Sequence, residues 1–142
     1  TINVIINYVI MENIMSLSLV FRIGAVWLGF WTILLWFAPE QFAIGNGWEL
    51  TPNLKTLMQG LGLAAASLVA LHLSVARWGG SNMSSFGIVA GVMWTLSTLL
   101  NGYQISIGDI ELNGITIFGL VVSAIISLLF FCGQKPKIKS IN

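Results

Sequence analysis

The sequence predicts an all-α integral membrane protein, a four-transmembrane-helix bundle, with a short β-hairpin or an irregular loop in its third connection. Composition and segment length lead there. Hydrophobic residues fill 56% of the 142 positions, above the roughly 45–50% of soluble domains, and charged residues only 8% against about 25%. The apolar residues also gather in blocks of about twenty, the length that crosses a bilayer core as a helix. Four such blocks leave short loops and tails, so a soluble globular protein is excluded. Six Lys and Arg against five Asp and Glu give a net charge of +1, which lacks the basic surplus that nucleic acid requires.

The first block, SLSLVFRIGAVWLGFWTILLWFA, runs from about Ser16 to Ala38. Pro39 and Glu40 close it, because a proline disfavours helical geometry in the residue before it. Thr51 can cap a new helix and Pro52 suits its first position, so the second span covers about 52–76. After Arg77, Gly79, Gly80, Ser81 and Asn82, a third span covers about 83–103, and GITIFGLVVSAIISLLFFCG supplies a fourth over about 114–133. In the connection between them, Ile105, Ile107, Ile110 and Leu112 alternate with polar residues about Gly108-Asp109, the pattern of a hairpin. Such a two-stranded unit is marginal by itself, which leaves an irregular loop as the alternative.

Residues 1–15 read as an N-terminal tail, within which Met11 and Met15 can each serve as initiator. The stretch TINVIINYVI has the composition that in-frame translation of an AT-rich upstream region would yield, and no signal-peptide pattern is expected in it. Residues 134–142 form a basic tail carrying Lys135, Lys137 and Lys139. These lysines, Arg22 and Arg77 fall on one side of the predicted spans, while Glu40, Glu49, Asp109 and Glu111 fall on the other with Lys55 alone among them. Positive residues stay on the cytoplasmic side, so both termini are expected to be cytoplasmic.

Without a hydrophobic drive between helices in lipid, small residues that let backbones approach closely must supply much of the packing. The candidate seams are Gly62, Ala66, Ala70 and Ser74 on the second span; Gly87 and Gly91, continued by Thr95, on the third; Gly119, Ser123 and Ser127 on the fourth; and the shorter Ala25 and Gly29 on the first. They hold the chain's own bundle together or face another subunit. Trp36, Trp48 and Trp78 lie near predicted interfaces, where amphipathic rings anchor helices. Trp27 and Trp31 share a helix face, and Trp94 needs an acceptor for its indole N–H.

Little of the pattern points to chemistry. His72, the single histidine, lies five residues before Arg77, about 7 Å inside the boundary. It reads either as a neutral imidazole bonded within the bundle or as an axial ligand to haem iron or chlorophyll magnesium. The single Cys132 allows no intramolecular disulfide and no multi-cysteine metal site. No Asp or Glu lies within a predicted span, so the carboxylate relays of proton-coupled transporters are not expected, and no nucleophile constellation surrounds His72.

Ala38-Pro39-Glu40 closing the first span, Leu57-x-x-Gly60-Leu61-Gly62-Leu63 opening the second, Arg77 at its end and Leu100-Asn101-Gly102 after the third give a layout that resembles the small, DoxX-like four-helix membrane proteins of bacteria. The resemblance covers about 16–133 and implies a fold and a bacterial inner membrane, with no catalytic or binding residue carried over. The expected role is a non-enzymatic accessory or stabilising subunit of a larger membrane complex, with lipids and other membrane subunits as partners. The alternatives are a small transporter or channel component and a haem- or chlorophyll-binding subunit using His72. For the orientation, a cysteine placed at Asn113 is expected to react with an impermeant thiol reagent from outside the cell, and one at Ser140 is not. The reverse pattern would refute the assignment.

Overall fold

The computed structural model describes residues 16–134; the predicted N-terminal tail, and the C-terminal tail apart from Gln134, lie outside that range. The elements are α1 (Leu17–Phe37), α2 (Pro39–Gly45), α3 (Pro52–Trp78), a single 3₁₀ turn (Gly80–Asn82), α4 (Met83–Ser106) and α5 (Gly114–Cys132). Four of these, α1, α3, α4 with its 3₁₀ lead-in, and α5, are long and apolar enough to cross a membrane.

Local chemistry sets the boundaries. The Ser16 hydroxyl accepts from the Leu19 amide at the start of α1, and the Thr51 hydroxyl accepts from the Leu54 amide at the start of α3, with Pro52 in the first turn. Pro39 ends α1 but does not open a loop. It takes the first position of α2 instead, where its missing N–H costs nothing, so the expected loop holds a seven-residue helix. The spans α3 and α4 run on to Trp78 and Ser106, past the expected 76 and 103.

The predicted hairpin in the third connection is not formed, and the described residues contain no strand. Ile105 and Ser106 belong to α4, and Gly108 at φ +83° is the residue that terminates it. The Gly108 amide donates to the Ile105 carbonyl and the Asp109 amide to the Gln104 carbonyl, the pairing of a Schellman cap. Backbone donors that a hairpin would use across strands are thus spent on the last carbonyls of the helix. Ile110 is buried while Ile107 and Leu112 are exposed, so the four apolar residues share no face.

Two antiparallel hairpins build the bundle. α1 lies along α3, α4 lies along α5, and contact between the pairs is sparser. Toward the end where the described chain starts and finishes, all four spans meet in one core of Leu17, Val20, Phe21, Val75, Ala76, Trp94, Ile126 and Phe130. The opposite, looped end has a smaller core of Leu35, Ala43 and Met58. Three hydrogen bonds tie its two connections: Trp48 Nε1 donates to the Asp109 carbonyl (2.8 Å), Asn113 Nδ2 to the Gly45 carbonyl (2.8 Å) and the Glu111 amide to the Asn46 carbonyl (3.1 Å). Asn113 also caps α5, its Oδ1 accepting from the Ile115 and Thr116 amides.

Between α4 and α5 the close approach runs through Gly87, Gly91 and Ser127, all buried. A Cβ on Gly91 would stand 3.0 Å from Phe131 Cζ and 3.2 Å from Phe130 Cβ, and one on Gly87 would stand 2.7 Å from Gln134 Nε2 and 3.0 Å from Leu17. Ser127 Oγ lies 2.6 Å from Thr95 Oγ1, and both hydroxyls reach the Gly91 carbonyl. This seam is internal to the chain. Gly91→Leu is therefore expected to destabilise the isolated protein in detergent by about 1–3 kcal/mol through overpacking, whereas Leu96→Ala, at an exposed position, should stay within about 0.5 kcal/mol. Thermal or denaturant unfolding of both variants checks this; equal effects would place the seam elsewhere.

Candidate functional site

The polar centre of the bundle is His72 on α3, buried at 7% exposure beside Trp94 of α4 at 9%. Trp94 Nε1 stands 3.3 Å from His72 Nε2, and His72 Nδ1 stands 2.9 Å from the Leu68 carbonyl. An indole N–H can only donate and a carbonyl can only accept, so Nε2 accepts, Nδ1 carries the proton, and the ring is neutral with both nitrogens used. Phe21 and Phe130 meet the imidazole edge-on at centroid distances of 5.4 and 6.1 Å. Elements from both hairpins thus converge on one ring.

Space for that ring comes from Gly24 on α1, where a Cβ would lie 3.0 Å from His72 Cδ2 and 3.2 Å from Nε2. The sequence pattern favours Ala25 and Gly29 as the small residues of this helix and passes over Gly24. Ala25 is buried, but a Cβ on Gly29 would meet nothing within 4 Å. Nothing in the spacing marked Gly24, because the residues three and four positions from it are Val20, Phe21, Trp27 and Leu28, none of them small.

An axial ligand to haem or chlorophyll must offer the metal a free nitrogen lone pair. In His72 that lone pair, on Nε2, already accepts from the Trp94 indole, so a metal ligated there would have to displace that N–H.

The remaining predicted seam positions divide between sites. On α3, Gly62 is pressed against α1, where a Cβ would fall 2.5 Å from the Trp36 ring, and the Trp36 indole donates to the Gln59 carbonyl. Ala66 and Ser74 are half-buried and Ala70 is exposed. Steps of four drift by about 40° each, so the expected row winds off the contact face. The face that packs is Met58, Gly62, Ala65, Val69, His72 and Ala76, in alternating steps of four and three that hold to one side. On α5, a Cβ on Gly119 would stand 3.5 Å from the Trp31 ring, an ordinary contact, and Ser123 is buried beside a cavity at the looped end. Trp27, Phe30, Trp31, Phe42 and Phe118 form an aromatic cluster between α1, α2 and α5.

α3 and α4 follow one another in the chain yet touch little. Between them lies a groove of about 400 Å³ whose floor is His72 and Trp94 and whose walls include Leu68, Leu71, Phe86, Val89 and Met93, all five exposed. The fold and this centre define an all-helical membrane protein with four potential spans, built of two helical hairpins joined around a buried His–Trp hydrogen bond. Compared with models of known families, with curated proteins and with solved structures, the chain matches none.

A double-mutant cycle measures the His72–Trp94 bond. Trp94→Phe keeps the aromatic contacts but leaves Nε2 without its donor, which should lower stability by about 1–3 kcal/mol. Combined with His72→Leu, the loss should fall short of the sum of the two single effects by about 0.5 kcal/mol or more; additivity would mean that the bond contributes nothing.

Proposed function

We propose that this chain is a non-enzymatic integral membrane protein that works by packing, as an accessory or stabilising subunit of a larger assembly in a bacterial inner membrane, with both termini cytoplasmic. The observation that carries the reading is the α3–α4 groove. Exposed apolar side chains are ordinary in lipid and mark no partner by themselves. Here, however, two consecutive helices stay apart and present a concave apolar face along the spans. A transmembrane helix of another subunit laid there would gain the van der Waals contact that drives association in lipid. His72, the one titratable group on the groove floor, has both ring nitrogens bonded inside the chain, which supports a structural role for it. The orientation rests on the distribution of basic residues.

Gentle extraction followed by native mass measurement tests this reading. A second membrane protein should accompany the chain, and Val89→Trp, which fills the groove from an exposed wall position, should release it while the variant remains folded. A bare monomer carrying only lipid would overturn the proposal, as would a partner that stays bound to Val89→Trp. Solute flux in protein-containing liposomes would favour a conductor instead.

A further inference from the structure

At the looped end, where the two hairpins part, α1, α2, α4 and α5 line a second cavity of about 260 Å³. Its walls are mostly apolar, with Trp31 and Phe42 as aromatic surfaces and Leu35, Ile110 and Leu120 beside them. No charged side chain lines it. Its polar members include Ser123, Asn46 and Asn101.

Ser123 is 8% exposed, and among the described residues its hydroxyl has no hydrogen-bond partner. A helical Ser or Thr in an apolar setting ordinarily bonds back to the carbonyl four residues earlier, as Thr32, Ser67, Thr95 and Thr98 do here. Ser123 does not. Every fully enclosed side-chain nitrogen or oxygen among the described residues is partnered, so the unpartnered Ser123 hydroxyl opens onto the cavity. The two asparagines add acceptors. Asn46 Nδ2 donates to the Phe42 carbonyl and Asn101 Nδ2 to the Ser97 carbonyl. A carbonyl accepts only, which fixes the nitrogen of each amide and leaves each Oδ1 with no protein donor among the described residues.

We propose that this cavity binds a small neutral amphiphile of the phenol or quinol class, one ring in size. Its hydroxyl would bond to Ser123 and to an asparagine amide oxygen, and its ring would lie against Trp31 and Phe42. A volume of about 260 Å³, just below the roughly 300–1,000 Å³ of drug-sized ligand sites, admits about one ring with a short substituent. Unused acceptors beside a single hydroxyl call for a ligand that donates, and the uncharged apolar walls call for a neutral one.

The test uses the full chain in lipid nanodiscs, with 4-fluorophenol as probe, fluorobenzene as the analogue that lacks the hydroxyl, and protein-free nanodiscs as the baseline for partition into lipid, all read by fluorine NMR. Saturable binding of 4-fluorophenol is expected, about tenfold tighter than fluorobenzene. Ser123→Ala deletes only the hydroxyl and should bring the two probes to within about threefold of each other, while Ser123→Leu should abolish saturable binding of both. The proposal is overturned if no saturable component appears above the baseline, as for a cavity that holds only water. It is equally overturned if the phenol preference survives Ser123→Ala, an outcome that does not depend on Ser123→Leu folding.

Discussion

The hydrogen bond from the Trp94 indole to the His72 imidazole is the polar contact that joins the two hairpins inside the bundle, and the packing around it is arranged to accommodate it. Lipid tails solvate apolar side chains as well as other helices do, so nothing like the aqueous hydrophobic effect presses α1–α3 onto α4–α5. Close van der Waals packing and directional polar contacts between helices supply the association instead. The geometry leaves no freedom in how it is made. Trp94 can only donate, the Leu68 carbonyl can only accept, and the imidazole between them is held in one neutral tautomer. Gly24 supports the arrangement by withholding a side chain where the ring must sit.

The two ends of the bundle solve the same association problem differently. Toward the end where the described chain starts and finishes, side chains from all four spans interlock around Phe21 and Phe130, whose rings meet edge-on at 4.8 Å. At the looped end the side chains stand further apart and the connections do the joining, through Trp48, Asn113 and the Glu111 amide. Those bonds hold the rim together without filling the space beneath it, which is why a cavity persists between Trp31, Phe42 and Ser123. The α3–α4 groove has a related origin. The connection of Gly79 and the 3₁₀ turn places the two helices in sequence, but each makes its main contact with the other member of its own pair.

Glycines and serines carry much of this organisation, and they do so by position rather than by identity. Gly62, Gly87 and Gly91 each lie where a single added carbon would strike a neighbouring helix, whereas Gly29, Gly60 and Gly114 meet nothing within 4 Å. Ser127 closes a hydroxyl pair with Thr95, while Ser123, one turn away on the same helix, is left facing the cavity. The same residue type thus serves packing at one turn and leaves a polar group free at the next.

The sequence by itself determined the four apolar spans, their order and most of their ends, because helix length in lipid and the chemistry of Pro39, Thr51 and Pro52 are local. It also marked Trp94 as needing an acceptor and His72 as needing a partner, since an unpaired polar group in an apolar interior is costly whatever surrounds it. That the two satisfy each other, with Gly24 making room, was decided by tertiary structure, because residues 22 positions apart in the chain meet only when α3 and α4 are arranged in space. The third connection misled for a related reason: Gly108-Asp109 suits a hairpin turn and a Schellman cap equally, and the choice went to the helix whose carbonyls at Gln104 and Ile105 were already within reach. The row Gly62, Ala66, Ala70, Ser74 looked like one face in the sequence, but steps of four wind around an α-helix, and only the position of α1 decided which of those residues are packed.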